Sequence, residues 1–137
     1  MSSASWALQT AIHTALSSDA AVLEALGGAR IYDDVPRGVV YPYVTFGPSS
    51  VRDWSTGTEA GDEHAVTLHV WSRSAGRREA EKIMTAIRAA LHDRPLALAG
   101  HLLANLRCES SEARRDPDGE TYQGSVRLRA VTEPPSQ

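Results

Sequence analysis

Residues 63–91 read EHAVTLHVWSRSAGRREAEKIMTAIRAAL, and they join the pattern of a strand to the pattern of a helix. Val66, Leu68 and Val70 alternate with other residues, which predicts a strand that is buried on at least one face. Ser74 follows this strand, where its hydroxyl can cap the first turn of a helix. The apolar residues beyond it recur at helical spacing and predict one buried helix face: Ala80, Ile83, Met84, Ile87 and Leu91.

Two shorter helices are predicted in the first part of the chain. Residues 6–16 place apolar side chains on one face, and Ser5 stands where it can cap them. Residues 20–26 follow Ser18 and Asp19, either of which suits a cap, and a glycine pair then ends the helix. The N-terminus has no basic segment and no long apolar run. We therefore expect neither a signal peptide nor a membrane anchor, and we expect a cytoplasmic protein.

The middle of the chain predicts two extended segments and a long loop. Residues 30–32 form a brief extended piece, and residues 43–46 read as a strand entered through Pro42. Residues 47–62 are rich in Gly, Ser, Thr and Asp, show little periodicity, and predict a loop that holds Trp54. The position of Trp54 has two interpretations: the side chain belongs to a contact surface for a partner, or it packs against its own domain.

The sequence Asp-Pro-Asp-Gly at residues 116–119 is typical of a tight turn and predicts an antiparallel hairpin. A three-residue loop, with Gly119 in the left-handed conformation, keeps the apolar residues of both strands on one face. Residues 133–137 then predict a flexible tail. The expected register pairs Cys108 with Leu128, Leu106 with Ala130, Glu109 with Arg127, and Arg107 with Arg129.

The composition indicates one globular domain over residues 1–132. The chain has 137 residues, of which 42% are hydrophobic and 23% are charged. This length is enough for one core and too short for two comfortable ones. The single cysteine, Cys108, falls in a predicted strand, which favours a buried structural thiol over a reactive one.

The charged residues argue against a general nucleic-acid binder, because the net charge is −3 and such proteins carry a basic excess. Lys82 is the only lysine beside thirteen arginines. The planar guanidinium of arginine suits directional contacts with other proteins. Biased codon usage in an arginine-rich genome explains the same composition equally well.

The sequence predicts no catalytic, cofactor or metal site. It contains no phosphate-binding glycine loop, no nucleophile elbow and no Cys-x-x-Cys pair. His64 and His69 are separated by an odd number of residues along the predicted strand, so they point to opposite faces and cannot readily share a metal. Asp62 and His64 share a face but lack a nucleophile or a third ligand.

Surface candidates remain. The odd residues of the strand, Ala65, Thr67, His69 and Trp71, form a face too apolar to be left in water. Either a neighbouring molecule or another helix of the same chain is expected to cover it. The arginine pairs at the start of the long helix and at the hairpin have two interpretations, partner contacts or solvated surface. The candidate interface residues are Arg52, Trp54, His69, Trp71, Arg73, Arg77, Arg78, Arg114 and Arg115.

Short motifs follow one another along nearly the whole chain. In order they are Arg30-Ile31-Tyr32-Asp33 with Pro36, Pro42-Tyr43-Val44, Trp54-Ser55, Glu63-His64, Leu68-His69-Val70-Trp71-Ser72-Arg73, Gly76-Arg77, Glu79-Ala80, Arg115-Asp116 with Gly119, and residues 127–133. Taken in this order, they resemble a family of small tail-completion proteins. The family is found in long-tailed phages and in phage-derived gene transfer agents.

The resemblance implies an α/β fold of the α+β type, with a mainly antiparallel sheet of four to five strands. It places the N-terminal helices and one long helix on one face of the sheet. It also implies a tail terminator, a structural protein that forms a hexameric ring at the head-proximal end of a tail tube. The implied partners are the tail tube protein and the head-tail connector protein, with DNA passing through the ring without specific binding.

Two other functions stay open beside the tail terminator. The first is a small cytoplasmic domain that binds nucleic acid or protein through its arginines. The second, less favoured, is an enzyme. In the leading interpretation the protein is cytoplasmic during assembly and then becomes part of the particle.

Overall fold

The computed structural model describes residues 3–135 and contains a helical layer packed on a five-stranded sheet. The strand order is β1-β2-β3-β5-β4. The pairing of β1 with β2 is parallel, and the other three pairings are antiparallel. The expected α+β class is therefore confirmed. The elements are α1 (Ala4–Ser17), α2 (Ala20–Leu26), β1 (Ile31–Tyr32), β2 (Tyr43–Asp53), β3 (Asp62–Ser72), α3 (Arg78–Leu91), β4 (Leu102–Arg115) and β5 (Tyr122–Glu133).

The strand and helix of residues 63–91 form as predicted, and they supply much of the core. Val66, Leu68 and Val70 are buried, and they face the buried side chains of α1 and α3. The predicted cap is wrong, because α3 begins after Arg77 and has no side-chain cap hydrogen bond. Gly76, at φ 103°, turns the chain after Ser74 and moves the helix start beyond the reach of the Ser74 hydroxyl.

The N-terminal helices also form, with one correction at the first cap. The side chain of Ser3, rather than Ser5, accepts the N–H of Trp6, so α1 begins two residues earlier than expected. Asp19 caps α2 by accepting the N–H of Val22. Gly27 ends that helix in the left-handed conformation, at φ 80°.

The predicted loop over residues 47–62 is largely wrong. β2 continues to Asp53 and β3 begins at Asp62, so only residues 54–61 connect the two strands. A register shift between Phe46 and Ser49 interrupts the ladder and then lets it resume. The second half of β2 is exposed along its whole length, so its sequence shows no alternation of buried and exposed residues.

The C-terminal hairpin forms, and most of its predicted register is confirmed. Cys108 pairs with Leu128, Leu106 with Ala130, and Arg107 with Arg129. Gly119 is left-handed as expected, with φ 80°. The predicted loop length is wrong, because the N–H of Asp116 donates to the carbonyl of Thr121 and four residues separate that pair. A register shift at Glu109 absorbs the extra residue, so Ser110 rather than Glu109 faces Arg127.

The end of the chain departs slightly from the predicted tail. Glu133 is half-buried and is the last residue of β5, whereas Pro134 and Pro135 are exposed. Ser136 and Gln137 lie outside the described residues. Among the described helices, none is long and apolar enough to span a membrane.

Candidate partner surface on the open face of the sheet

The helices pack on one face of the sheet and leave the other face open. Because opposite residues of a ladder share a face, the side of the sheet away from Leu68 can be read from the strand register. It therefore remains uncovered by the helices, and we call it the open face. The residues on it include Tyr43, Thr45, Arg52, Glu63, Ala65, Thr67, His69, Trp71, Arg107, Glu112, Arg114, Gln123, Ser125, Arg127 and Arg129.

Aromatic side chains occupy one end of the open face. The aromatic rings of Trp71 and Tyr43 stack with centroids 6.3 Å apart, and the indole N–H of Trp71 donates to Thr45 Oγ1 at 3.0 Å. Tyr41 packs against Tyr43 at 5.0 Å, and the guanidinium of Arg73 lies 4.3 Å above the Tyr41 ring. Burial raises the pKa of Tyr43 to about 12, with a further contribution from its hydrogen bond to Tyr41. These contacts fix Trp71 in place while leaving it half-exposed.

A hydrogen-bond network holds His69 at the centre of the open face. Gln123 Nε2 donates to His69 Nδ1 at 3.1 Å, and the Ser125 hydroxyl lies 3.2 Å from the same nitrogen. Arg114 in turn donates to Gln123 Oε1 at 3.1 Å. Burial lowers the pKa of His69, and the nearby positive charges of Arg114 and Arg127 lower it further. The imidazole is therefore held neutral, with Nδ1 as the acceptor.

Space for the His69 imidazole comes from Gly47. A Cβ atom at Gly47 would lie 2.5 Å from His69 Nε2 and 3.2 Å from the carbonyl oxygen of Thr67. The glycine thus lets β2 pass close beneath the imidazole.

Charged groups and Trp54 occupy the other end of the open face. Glu63 accepts hydrogen bonds from both Arg52 and Arg129, the latter at 2.6 Å. The hydrogen bonds from Arg52 and then Arg129 lower the pKa of Glu63. The Arg129 guanidinium lies 4.9 Å from the centroid of the Trp54 ring, and Trp54 remains 50% exposed. Trp54 therefore touches its own domain on one side and faces solvent on the other.

The structure brings together only some of the predicted interface residues. Arg73 joins the aromatic end of the open face through Tyr41 and also donates to Thr121 Oγ1 at 3.1 Å. Arg77 and Arg78 lie at the start of α3, away from the open face, and both are exposed. Arg115 donates to the carbonyl of Gly119 within the hairpin turn. The predicted residues that share the open face are Arg52, Trp54, His69, Trp71 and Arg114.

Sequence reasoning missed the contribution of β5 to this surface. Gln123, Ser125, Arg127 and Arg129 alternate along β5 and face β3 residues of the open face. The period-two pattern of the predicted hairpin could have identified them, because they alternate with apolar residues that face the core. Tyr43 begins a predicted strand and Tyr41 precedes it, but no local pattern indicates that they pack beside Trp71.

Two further residues considered in the sequence, His64 and Cys108, are buried away from the open face. His64 lies on the face opposite to His69, as predicted, where its Nε2 is 2.8 Å from Thr132 Oγ1. Burial raises the pKa of the Cys108 thiol, and the side chain is buried as expected. Across residues 3–135, no three His, Cys, Asp or Glu side chains cluster in a way that could hold a metal ion.

Comparison with known proteins places the chain in a family. The family described as "Tail completion protein gp17" matches residues 10–133. The chain belongs to this family. The tail completion protein gp17 of Bacillus phage SPP1 is 28% identical over 126 residues, which cover 92% of each chain. The resemblance read from the ordered motifs is thereby confirmed.

Solved structures extend the comparison to the whole fold. A chain of the native gene transfer agent virion particle is 30% identical and superposes with a TM-score of 0.88. That match covers 97% of this chain and 99% of the other. The structure of bacteriophage SPP1 gp17 is 27% identical, with a TM-score of 0.60 over 93% of this chain and 89% of that one. This tail completion protein is a structural tail protein of the phage type.

Proposed function

We propose that this tail completion protein is a tail terminator. Six copies form a ring on the head-proximal end of a tail tube, end the polymerisation of the tube and present a surface to the head connector. The protein acts in the cytoplasm during assembly and then remains in a phage or gene transfer agent particle. We also propose that residues 1–132 form a single domain.

The open face is the observation that carries this proposal. It combines a half-exposed tryptophan, Trp54, with arginines and with aromatic side chains held in fixed positions. Tryptophan, tyrosine and arginine are the residue types enriched where proteins bind one another. A subunit of a closed ring has to offer such surfaces to its neighbours and to the tube. The proposed contact residues are Arg52, Trp54, His69, Trp71, Arg73, Arg77, Arg78, Arg114 and Arg115.

The proposed role is structural, without catalysis and without a cofactor. The family supports a virion-type role. The Ser125 hydroxyl lies beside His69 on the open face, but the same imidazole nitrogen accepts a hydrogen bond from the Gln123 amide, so it is not free to act as a general base for the hydroxyl. We further propose that DNA passes through the ring without specific binding. A net charge of −3 per copy disfavours stable contact with phosphates.

A second candidate function is a binding domain that recognises nucleic acid through its arginines. Arg107 faces Arg129 across β4 and β5, and Arg129 is already paired with Glu63, so the exposed guanidinium of Arg107 is the one of the two that could meet an anionic partner. Binding to double-stranded DNA that weakens steeply with added salt would support this alternative. An absence of binding at low salt removes it.

Tube growth tests the leading proposal. The protein is mixed with tail tube subunits from the same particle, and the tube lengths are measured by electron microscopy. A terminator shortens the tubes in proportion to the amount added and leaves a ring at one end. Tube lengths that do not change, together with bare tube ends, contradict the proposal.

A further inference from the structure

A groove in the helical layer is free of charged residues. It lies between α1 and the connection that follows α3, has a volume of about 370 Å³, and is lined in part by Trp6, Thr14, Leu96 and Ala97. None of the 14 residues of α1 is Asp, Glu, Lys or Arg, whereas a surface helix usually carries charge on its solvent side. Trp6 is 53% exposed at the edge of this groove. Asp33 lies on the other side of Trp6, outside the groove. An uncharged groove beside an exposed tryptophan is typical of a protein contact.

The loop between β1 and β2 carries an apolar projection of matching character. Val40 is 57% exposed, the highest value among the large exposed hydrophobic residues of the described chain. No residue from 38 to 51 carries a formal charge. Tyr41 anchors the loop beside the open face, because it packs against Tyr43 and lies beneath Arg73. The start of the same loop lies beside α1, where Asp33 accepts a hydrogen bond from Gln9 at 2.8 Å, so the loop runs from the helical layer to the open face.

We infer that the Val39-Val40 segment of one copy inserts into the Trp6 groove of the next copy and forms the seam between neighbours. The inference rests on the proposed ring. A ring of identical subunits joined head to tail needs two different, complementary patches on each subunit, and the loop and the groove are such a pair. The seam leaves the open face available to the tube or the connector.

Charge decides which part of a second copy fits the groove. A charged group buried against this lining has no partner there, so an insertion that carries charge is strongly disfavoured. Val35 follows Asp34 and Val51 precedes Arg52, so both are poor candidates. Trp54 follows Asp53, and Leu102 pairs with Glu133 in the sheet, so the same reason applies to them. Val40 is flanked by Val39 and Tyr41 and meets the requirement.

Disulfide cross-linking tests the seam directly. A chain carrying both Val40→Cys and Ala97→Cys is assembled on tail tubes, oxidised and run on a denaturing gel. We expect a ladder of covalent oligomers extending from the dimer to the closed ring. The matched control carries Val51→Cys with Ala97→Cys and gives no ladder. The native Cys108 stays in place, because its buried thiol is not accessible.

Mixing single variants tests whether the link joins different copies. Val40→Cys chains mixed with Ala97→Cys chains should give covalent dimers and nothing larger. Tube-bound rings of the double variant without cross-links would overturn the inference, as would an equally strong ladder from the Val51 control. If the unaltered protein does not cap tubes at all, the proposed function itself fails, and that result is distinct from a failure of the seam.

A charge swap gives an independent readout of the same contact. Val40→Asp or Ala97→Lys alone should lower the fraction of capped tubes by about tenfold or more, because each buries an unpaired charge. Together the two changes should restore much of the capping. Capping by both single variants at the level of the unaltered protein would also overturn the inference.

Discussion

At the scale of single residues, Gly47 and His69 show how the open face is kept in one arrangement. The imidazole occupies the space above Gly47 that a side chain would otherwise take. The Nδ1 atom of His69 accepts a hydrogen bond from the side-chain amide of Gln123, and the amide oxygen of Gln123 accepts one from Arg114. One missing Cβ atom thus permits a polar network that spans three strands.

The substitution Gly47→Ala tests this packing. The new methyl group would lie 2.5 Å from His69 Nε2 and also close to a backbone carbonyl, so the imidazole has to move. We expect the free energy of unfolding to fall by about 1–3 kcal/mol, measured by urea denaturation. Gly57→Ala is the matched control, because a Cβ there has no atom within 4 Å. Equal stability of the two variants contradicts the account.

The two strand histidines predict a pH dependence of stability. Burial lowers the pKa of His64 and of His69, so the unfolded chain takes up protons more readily than the folded chain. Their contribution to stability is intact above about pH 6.5 and is lost as the pH falls from 6.5 towards the lowered values. The free energy of unfolding should therefore decrease as the pH is lowered through this range. Replacing either histidine by Gln should flatten the dependence, and unchanged slopes in both variants argue against it.

At the scale of elements, the helices and the core strand could be predicted because each has a buried side and an exposed side. β3 alternates and α3 repeats at helical spacing, so burial is visible in the residue order. The second half of β2 is exposed throughout and leaves no such pattern. The hairpin register was predictable near Cys108 because apolar residues of both strands face the core there. The bulge at Glu109, which compensates for the longer turn, was not predictable because the residues around it are polar and show no preferred face.

The predicted cap of α2 is correct, and the predicted cap of α3 is wrong. Asp19 accepts the N–H of Val22 at the start of α2, whereas the Ser74 hydroxyl caps nothing. Asp19→Ala should lower the free energy of unfolding by about 1 kcal/mol in thermal or urea denaturation. Ser74→Ala should leave it nearly unchanged. A larger loss from Ser74→Ala than from Asp19→Ala would refute this assignment of the caps.

At the scale of the whole molecule, the helical layer and the open face divide the surface into parts of different character. One side carries an uncharged helix, α1, and the other carries arginines beside aromatic residues. The family and the motif order could be read from the sequence. The assembly of the open face could not, because its residues come from two strand pairs, β2 with β3 and β4 with β5, that are joined only through the pairing of β3 with β5.

Trp54 tests whether the open face makes contacts during assembly. Trp54→Ala removes a half-exposed side chain whose ring makes a cation–π contact with Arg129, so the loss of stability should be about 1 kcal/mol or less. Tube capping should fall much more than stability does. Lys82→Ala, at an exposed position on α3 and outside the proposed contact residues, serves as the control and should cap normally. Normal capping by Trp54→Ala removes Trp54 from the proposed contacts.

The most direct test of the central claim is electron microscopy of tail tubes grown in the presence of this protein. We predict short tubes, each closed at one end by a ring in which image averaging resolves six copies of this chain. Tubes of undiminished length whose ends carry no density for this chain would contradict the claim.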